Sequence, residues 1–89
     1  MQNPKVKAAA ARGRQVHKDR QYPPGFKKEV QLPSKKRMDA YNKETKEIIE
    51  LKPNNQRAIK KGEKQLEQYC KECNDVLGEG HTGSIETYD

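Results

Sequence analysis

The sequence predicts an α/β domain in which a small mixed sheet is flanked by helices. Three short apolar runs between residues 26 and 53 are separated by tight turn sequences, as in an antiparallel meander. Apolar residues then recur at spacings of three and four between residues 59 and 76, which is the period of an amphipathic helix. An alanine run that favours helix precedes the meander. The predicted order of elements is therefore α-β-β-β-α-β.

The length and composition indicate a single small domain over residues 1–89. Hydrophobic residues make up 30% and charged residues 36% of the 89 positions, so the core is expected to be thin. Residues 1–37 carry 11 basic and 2 acidic side chains, whereas the remainder carries 8 basic and 11 acidic ones. This asymmetry predicts a polyanionic partner, with nucleic acid ahead of an anionic membrane. No stretch is apolar enough for a membrane span, and no signal peptide is recognised.

The first half of the chain reads as one helix and three strands. The helix is predicted over residues 5–20, with Gly13 as its weakest position, and residues 1–11 are its start or a linker. "QYPPGF" is a loop, because two prolines and a glycine do not fit a regular element. The predicted strands are "FKKEVQL", "RMDAYN" and "EIIELKP", and the turns "PSKK" and "KETK" connect them.

The second half reads as one long helix and a final strand. One face of the helix carries an apolar stripe, namely Ile59, Gly62, Leu66, Tyr69, Cys73 and Val76. Asn54 or Asn55 is the predicted N-cap, and two glycines follow the helix end. "SIETY" is expected to form an edge strand.

The third strand carries charges where a core strand would not. Glu50 and Lys52 are two residues apart, so both point to one face, and burying an unpaired charge is costly. The short turn allows Asp39 on the second strand to lie beside Glu50. Two neighbouring carboxylates repel each other unless a cation lies between them, and Mg²⁺ prefers such oxygen ligands. The strand is therefore predicted to carry a metal site, in which Lys52 stabilises developing negative charge or helps to activate a water. The plain alternative is an exposed ion pair of Glu50 with Lys52.

This pattern resembles the PD-(D/E)xK nucleases of the restriction-endonuclease fold. Asp39, ten intervening residues and "ELK" look like their signature, and "QLEQY" looks like the QxxxY motif on the following helix. The run of residues 37–69 is similar to C-terminal toxin domains of bacterial polymorphic toxins, and the resemblance is good over residues 12–77. It implies a restriction-endonuclease-like core, with metal bound by Asp39, Glu50 and the carbonyl of Leu51. Lys52 would assist hydrolysis, and Gln65 and Tyr69 would complete the catalytic set.

Two departures from the family pattern bear on the metal site. Met38 stands where the family has proline, a position that supplies no ligand. An acidic residue often found on the first helix has no clear match, and Asp19 and Glu29 are the nearest candidates. The sequence therefore leaves open whether one metal ion or two are bound.

Basic residues near these motifs are the candidates for contacts with nucleic acid. The first helix offers Arg12, Arg14, His17 and Lys18, and the second offers Arg57 and Lys61. A solvated surface role is the alternative for each of them, and it is favoured for His17. Cys70, Cys73 and His81 together would suggest zinc, but a fourth ligand is lacking, so zinc is not expected.

The predicted function is a metal-dependent nuclease toxin that uses Mg²⁺ or Mn²⁺. The resemblance implies a domain of a larger secreted protein that acts in the cytoplasm of a target bacterium, without a membrane. It also implies a cognate immunity protein, expected to be acidic because the toxin is basic. DNA is favoured as the substrate over RNA. The alternatives are a non-catalytic nucleic-acid-binding module, an RNA-cleaving member of the same fold, and a nuclease encoded by a phage or transposon.

Overall fold

The computed structural model describes residues 4–89 and has the predicted order of elements. They are α1 (Pro4–Asp19), β1 (Lys27–Gln31), β2 (Arg37–Asn42), β3 (Glu47–Pro53), α2 (Gln56–Leu77) and β4 (Thr82–Tyr88). Of the helix start or linker predicted over residues 1–11, residues 1–3 lie outside the described part, and α1 begins at Pro4. Neither α1 nor α2 has an apolar stretch sufficient to cross a membrane. The predicted α/β architecture is confirmed.

The four strands form one mixed sheet in the order β1-β2-β3-β4. β1, β2 and β3 are the predicted antiparallel meander, and β4 lies parallel to β3 at the sheet edge. Parallel neighbours cannot be joined by a tight turn, so α2 forms the crossover between them. This topology places the charged strand β3 inside the sheet, with a neighbour on each side.

α2 is held against the sheet by its apolar face. The Asn55 side chain accepts a hydrogen bond from the backbone N–H of Ala58 over 2.8 Å, which caps the helix start. The buried residues of the helix all belong to the predicted stripe, and they are Gly62, Leu66, Tyr69 and Cys73. Val76 was predicted to belong to that stripe too, but its side chain is 54% exposed. Helical spacing shows which face a residue occupies, but it does not show how far the sheet extends beneath that face.

α1 is attached to the sheet through polar contacts. Arg20, which follows the helix, contacts Glu86 of β4 with 2.6 Å between Nη2 and Oε1. The Lys28 ammonium of β1 donates to the carbonyl of Lys18 over 2.9 Å. The buried core, in contrast, consists of residues from β2, β3, α2 and the turn after β1, namely Leu32, Met38, Tyr41, Ile48, Leu66, Tyr69 and Cys73. The molecule therefore has an apolar, packed side at α2 and a polar side at α1.

Candidate functional site

Asp39 on β2 and Glu50 on β3 are each joined to the backbone of the other's strand. The paired register of the two strands ends at Ala40 and Ile49. Beyond it the N–H of Asp39 donates to Glu50 Oε1 over 2.9 Å, and the N–H of Leu51 donates to Asp39 Oδ2 over 2.8 Å. These two hydrogen bonds fix the positions of both carboxylates. The short turn between the strands predicted that Asp39 lies beside Glu50. Asp39 Oδ1 and Glu50 Oε2 stay outside them.

Glu50 is the buried member of the pair, with a side chain only 4% exposed. This burial raises the pKa of Glu50 to about 7, with a further raising contribution from the charge of Asp39. The hydrogen bond from the Asp39 N–H and the nearby Lys52 lower the same pKa, but they do not offset the burial. A bound cation would favour the ionised form of this carboxyl.

Lys52 extends along β3 toward Glu50 and lies beneath α2. Its Nζ is 3.9 Å from Glu50 Oε2, and its side chain is 19% exposed. A Cβ atom at Gly62 would lie 3.1 Å from Lys52 Cγ and 2.7 Å from the Cδ1 of Ile85. Gly62 therefore allows the helix to approach the sheet closely enough to confine the lysine beside the carboxylate.

Gln65 and Tyr69 follow Gly62 at helical spacing and therefore lie on the same face of α2. Gln65 Oε1 is buried and has no hydrogen-bond partner within residues 4–89. Burial raises the pKa of the Tyr69 phenol, and the charges of Glu50 and Asp39 raise it further. Tyr69 thus lies within electrostatic reach of both carboxylates. The unpaired amide oxygen of Gln65 is unusual, because most buried polar atoms are hydrogen bonded.

His17 brings α1 to the carboxylate pair. Its Nδ1 is 3.5 Å from Asp39 Oδ1, and its ring meets Tyr88 edge-on with 6.3 Å between ring centroids. A cleft of about 1030 Å³ opens beside it, between α1, β1 and the ends of β3 and β4. The basic residues Arg14, Lys18 and Lys28 line this cleft, and His17 and Glu29 line it as well. Three of the four α1 residues predicted to contact nucleic acid therefore line one cleft next to Asp39.

The remaining predicted contacts lie elsewhere on the surface. The Arg12 guanidinium donates to the backbone carbonyl of Asp89. Arg57 and Lys61 are exposed on the first turns of α2. The structure therefore does not bring these three cations to the same cleft as Arg14, His17 and Lys18.

The two acidic residues considered for a second metal position are not placed like the carboxylate pair. Asp19 is exposed and accepts a hydrogen bond from Gln15 over 2.8 Å. Glu29 is exposed on β1, where its φ of 54° is a left-handed conformation uncommon for this residue type. Within the described chain, no three His, Cys, Asp or Glu side chains form a group that could hold a metal ion. Asp39 and Glu50 are therefore the acidic core of the candidate site.

The residues considered for zinc have other partners. His81 Nε2 lies 2.8 Å from the Tyr41 hydroxyl, and its Nδ1 lies 2.9 Å from Asn74 Oδ1. The Cys73 thiol is buried, 3.8 Å from the sulfur of Met38. Both ring nitrogens of His81 are thus engaged in a network that links β2 to α2.

A sequence model of the family described as restriction endonuclease fold toxin 9 matches residues 5–88. The chain belongs to this family. Membership confirms the resemblance to toxin domains of the restriction endonuclease fold, and it indicates that the domain is a nuclease toxin that acts on target cells. Searches of curated proteins and of solved structures return no match to the chain.

Nucleases of the restriction endonuclease fold generally use divalent metal ions, and the carboxylate oxygens that this toxin domain offers to such an ion are those of Asp39 and Glu50. Asp39 Oδ1 and Glu50 Oε2 both lie outside the backbone hydrogen bonds that fix the two carboxylates. Mg²⁺ commonly takes one or two carboxylates and keeps several waters, so two such oxygens are a sufficient donor set.

Tyr22 of the toxin domain also lies within electrostatic reach of this site. The sequence predicted it only as part of a loop. The Tyr22 phenol has a pKa raised to about 12, first by burial and then by the charges of Asp39 and Glu86. Glu50 raises it as well, whereas Arg20 lowers it. A single tyrosine in a proline-rich loop has no sequence spacing that would connect it to Asp39, so no local pattern could have identified it.

Proposed function

We propose that the domain is a metal-dependent endonuclease that hydrolyses phosphodiester bonds in nucleic acid. The observation that carries the proposal is the interlocked pair of Asp39 and Glu50. Each carboxylate is fixed by a backbone N–H and keeps one oxygen outside that bond. This donor set suits Mg²⁺ or Mn²⁺, which prefer oxygen ligands.

The roles of the residues follow from their positions around that pair. A divalent ion supplies Lewis-acid stabilisation and lowers the pKa of a water molecule. Asp39 and Glu50 would hold it, and the carbonyl of Leu51 is the third ligand on the family resemblance. Lys52, beside Glu50, stabilises negative charge that develops on the phosphate. In these assignments Glu50 is ionised in the active form. Its pKa is raised in the metal-free domain, and a bound cation would favour the ionised form.

α2 supplies the second part of the proposed catalytic set. The buried, unpaired oxygen of Gln65 accepts a hydrogen bond from a water or an ammonium group that is part of the active complex. Tyr69 is buried on the same helix face, within electrostatic reach of the carboxylates, and bounds the site on that side. With these roles, Gln65 and Tyr69 would correspond to the two residues of the QxxxY motif.

The substrate is held by cations near the carboxylates. Arg14, His17, Lys18 and Lys28 line the cleft beside Asp39. All four are proposed to contact phosphates. Arg57 and Lys61 would contact a more distant part of the backbone. DNA is proposed as the substrate on the family resemblance, and RNA is the alternative, since phosphate contacts serve both.

The biological setting is proposed from the toxin family and the charge of the domain. The domain would be delivered as part of a larger secreted protein and act in the cytoplasm of a target bacterium without associating with a membrane. A cognate immunity protein with an acidic surface would cover the basic cleft, because complementary charge speeds association and suppresses wrong partners.

The test is cleavage by the purified domain in the presence and absence of metal. Supercoiled plasmid DNA and total RNA are incubated separately with Mg²⁺, with Mn²⁺ and with excess chelator. We expect cleavage of at least one substrate, and its loss in chelator with recovery on metal addition. Binding without cleavage under all conditions would favour the non-catalytic module, and undiminished cleavage in chelator would contradict the metal site.

A further inference from the structure

The loop between α1 and β1 holds two aromatic residues on a rigid turn. The N–H of Phe26 donates to the carbonyl of Pro23 over 3.3 Å, which closes a β-turn with Pro24 and Gly25 at its centre. Gly25 has φ 96°, so the turn is of type II, whose proline and glycine are each at their preferred position. A Cβ on Gly25 would lie 2.8 Å from the Asn42 amide nitrogen, so the turn rests directly on the end of β2.

The rings of Tyr22 and Phe26 flank this turn and pack against each other rather than in the core. Their centroids are 6.3 Å apart and the ring planes are inclined by 37°. Both residues are only partly buried. The partly buried apolar residues that pack against the described core are Val30, Cys70 and Ile85, so core packing does not account for the two rings.

Cations surround the two rings. An open depression of about 590 Å³ is lined by both rings and by the last turn of α1, and its charged residues are Lys18, Asp19, Arg20 and Lys28. Arg20 is paired with the carboxylate of Glu86, whereas the hydrogen-bond partner of Lys28 is the backbone carbonyl of Lys18. Lys18 and Lys28 also line the larger cleft beside His17. The aromatic pair thus adjoins the surface proposed to bind phosphates.

The aromatic pair is also close to the carboxylates. The depression lined by Tyr22 and Phe26 shares Lys18 and Lys28 with the cleft that contains His17, and the turn between the two rings contacts Asn42, three residues from Asp39 on β2. On the other side, His17 reaches Asp39 Oδ1 at 3.5 Å from the helix that leads into the loop. A nucleotide whose phosphate lies at the carboxylate pair would therefore have its base within reach of this loop.

We propose that Tyr22 and Phe26 form a stacking site for an unpaired nucleobase next to the phosphodiester that is cleaved. The substrate is then single-stranded or locally unpaired nucleic acid, because the base faces of a duplex are covered by their neighbours. Aromatic side chains beside a basic groove bind single strands in this manner, and they tolerate any base because every base has a π-face. The rigid turn lowers the ordering cost of binding. This inference deepens the proposed function and rests on it.

The test measures binding in excess chelator, so that no cleavage occurs. Three labelled probes of equal length are compared by fluorescence anisotropy: a single-stranded oligonucleotide, the same strand with abasic sites at its centre, and a blunt duplex. For the unmodified chain we expect the single strand to bind about 5- to 150-fold more tightly than the abasic strand for each base stacked. Tyr22→Leu and Phe26→Leu should remove that difference while leaving affinity for the abasic strand unchanged. Tyr22→Phe, which keeps a ring, should retain it.

The outcomes separate this inference from the proposed function. Equal affinity of the unmodified chain for the single strand and the abasic strand would overturn the stacking site, and this measurement needs no variant to fold. An equal loss on both strands in the leucine variants would overturn it too. If either result accompanies metal-dependent cleavage that Asp39→Ala abolishes, the proposed nuclease function stands and only the stacking site fails. Absence of cleavage under every metal condition would instead remove the function on which the inference rests.

Discussion

The two helices of the domain flank the sheet by different physical means. α2 buries Gly62, Leu66, Tyr69 and Cys73 against the strands, so its position is set by apolar packing. α1 is held by polar contacts, such as the pair of Arg20 with Glu86, in which both side chains are about one third exposed. Burial of apolar surface is a large stabilising term, whereas exposed ion pairs contribute little.

Because of this difference, the packed side is expected to serve the chemistry of the site and the polar side to serve binding. The packed side confines Lys52 and Tyr69 near the buried carboxylate of Glu50, where small displacements would alter the chemistry. The polar side carries His17, Lys18 and the aromatic loop, which are proposed to contact the nucleic acid. We expect substitutions on the packed side to affect stability and turnover strongly. Substitutions on the polar side should chiefly affect binding.

The largest effect is expected at the junction of the two sides, from Asp39→Ala. Loss of a residue that only supports a metal ligand lowers activity by about 10- to 100-fold. Asp39 is a proposed ligand itself, so turnover should fall by more than that. The fold should survive in metal-free buffer, because repulsion with Glu50 is relieved. Affinity for nucleic acid should persist or tighten, since one negative charge leaves the cleft.

The measurement is cleavage by purified protein together with growth of bacteria that express it without an immunity partner. Asp75→Ala, an exposed aspartate on α2, is the matched control and should cleave and kill like the parent. If Asp39→Ala also cleaves and kills like the parent, the metal site is assigned to the wrong residues.

The contrast between the two helices is tested directly by one substitution on each. Leu66 is 7% exposed and lies over Gly83, so Leu66→Ala should reduce the free energy of unfolding by about 2–5 kcal/mol. Arg20→Ala should reduce it by about 0–1 kcal/mol, because its ion pair is partly exposed. Urea denaturation followed by circular dichroism measures both values. Equal losses would show that α1 is packed as firmly as α2.

The charge of Glu50 makes the packed side sensitive to pH. Its pKa of about 7 in the folded state lies above the ordinary value of 4.5, so the folded state binds more protons between these values. Stability from this group is therefore present at low pH and is lost as pH rises through 7. In chelator at pH 8, Glu50→Gln should be more stable than the parent by up to about 3 kcal/mol, a difference that vanishes near pH 4.

Thermal unfolding across pH 4–8 provides the measurement, and Glu47→Gln is the matched control at an exposed position of the same strand. Added Mg²⁺ should stabilise the parent at pH 8 and have less effect on Glu50→Gln. A parent whose stability is flat across this range would show that the pKa of Glu50 is not raised in the folded state.

Gln65→Ala tests whether the α2 face serves chemistry or only packing. Turnover should fall by about 10- to 100-fold, in the range of outer-shell residues of metal sites. Stability should change little, because Gln65 Oε1 has no protein partner to lose within the described chain. Gln68→Ala is the control, since Gln68 is exposed and accepts a hydrogen bond from Lys36. Unfolding of Gln65→Ala, with turnover preserved in the folded fraction, would make Gln65 structural.

The smallest effect is expected from a single cation of the polar side. Lys18→Ala should lower the magnitude of the log–log slope of affinity against salt by about 0.9 on duplex DNA, or about 0.7 on a single strand. Lys43→Ala, in the exposed turn between β2 and β3, should leave the slope unchanged. Affinity titrations between low and moderate salt measure both slopes. Identical slopes for both variants and the parent would show that Lys18 is only part of the surface.

The sequence by itself determined the elements and the acidic pair, because their signals are local. "RMDAYN" and "EIIELKP" coincide with β2 and β3, since alternation and turn residues act over a few positions. The stripe of α2 was predicted correctly from Gly62 to Cys73, and the close approach at Gly62 could be inferred from its place in that stripe. The register that joins Asp39 to the strand of Glu50 follows from a short turn, which constrains neighbouring strands strongly.

Tertiary structure alone decided the features that depend on contacts between distant segments. The exposure of Val76, the approach of His17 to Asp39 and the place of Tyr22 near the carboxylates join parts of the chain that no local pattern relates. The pKa of Glu50 belongs to the same class, because it is set by burial under elements that are remote in sequence. Periodicity records which face of an element is apolar. Distances, burial and charge states arise only when those faces have been packed together.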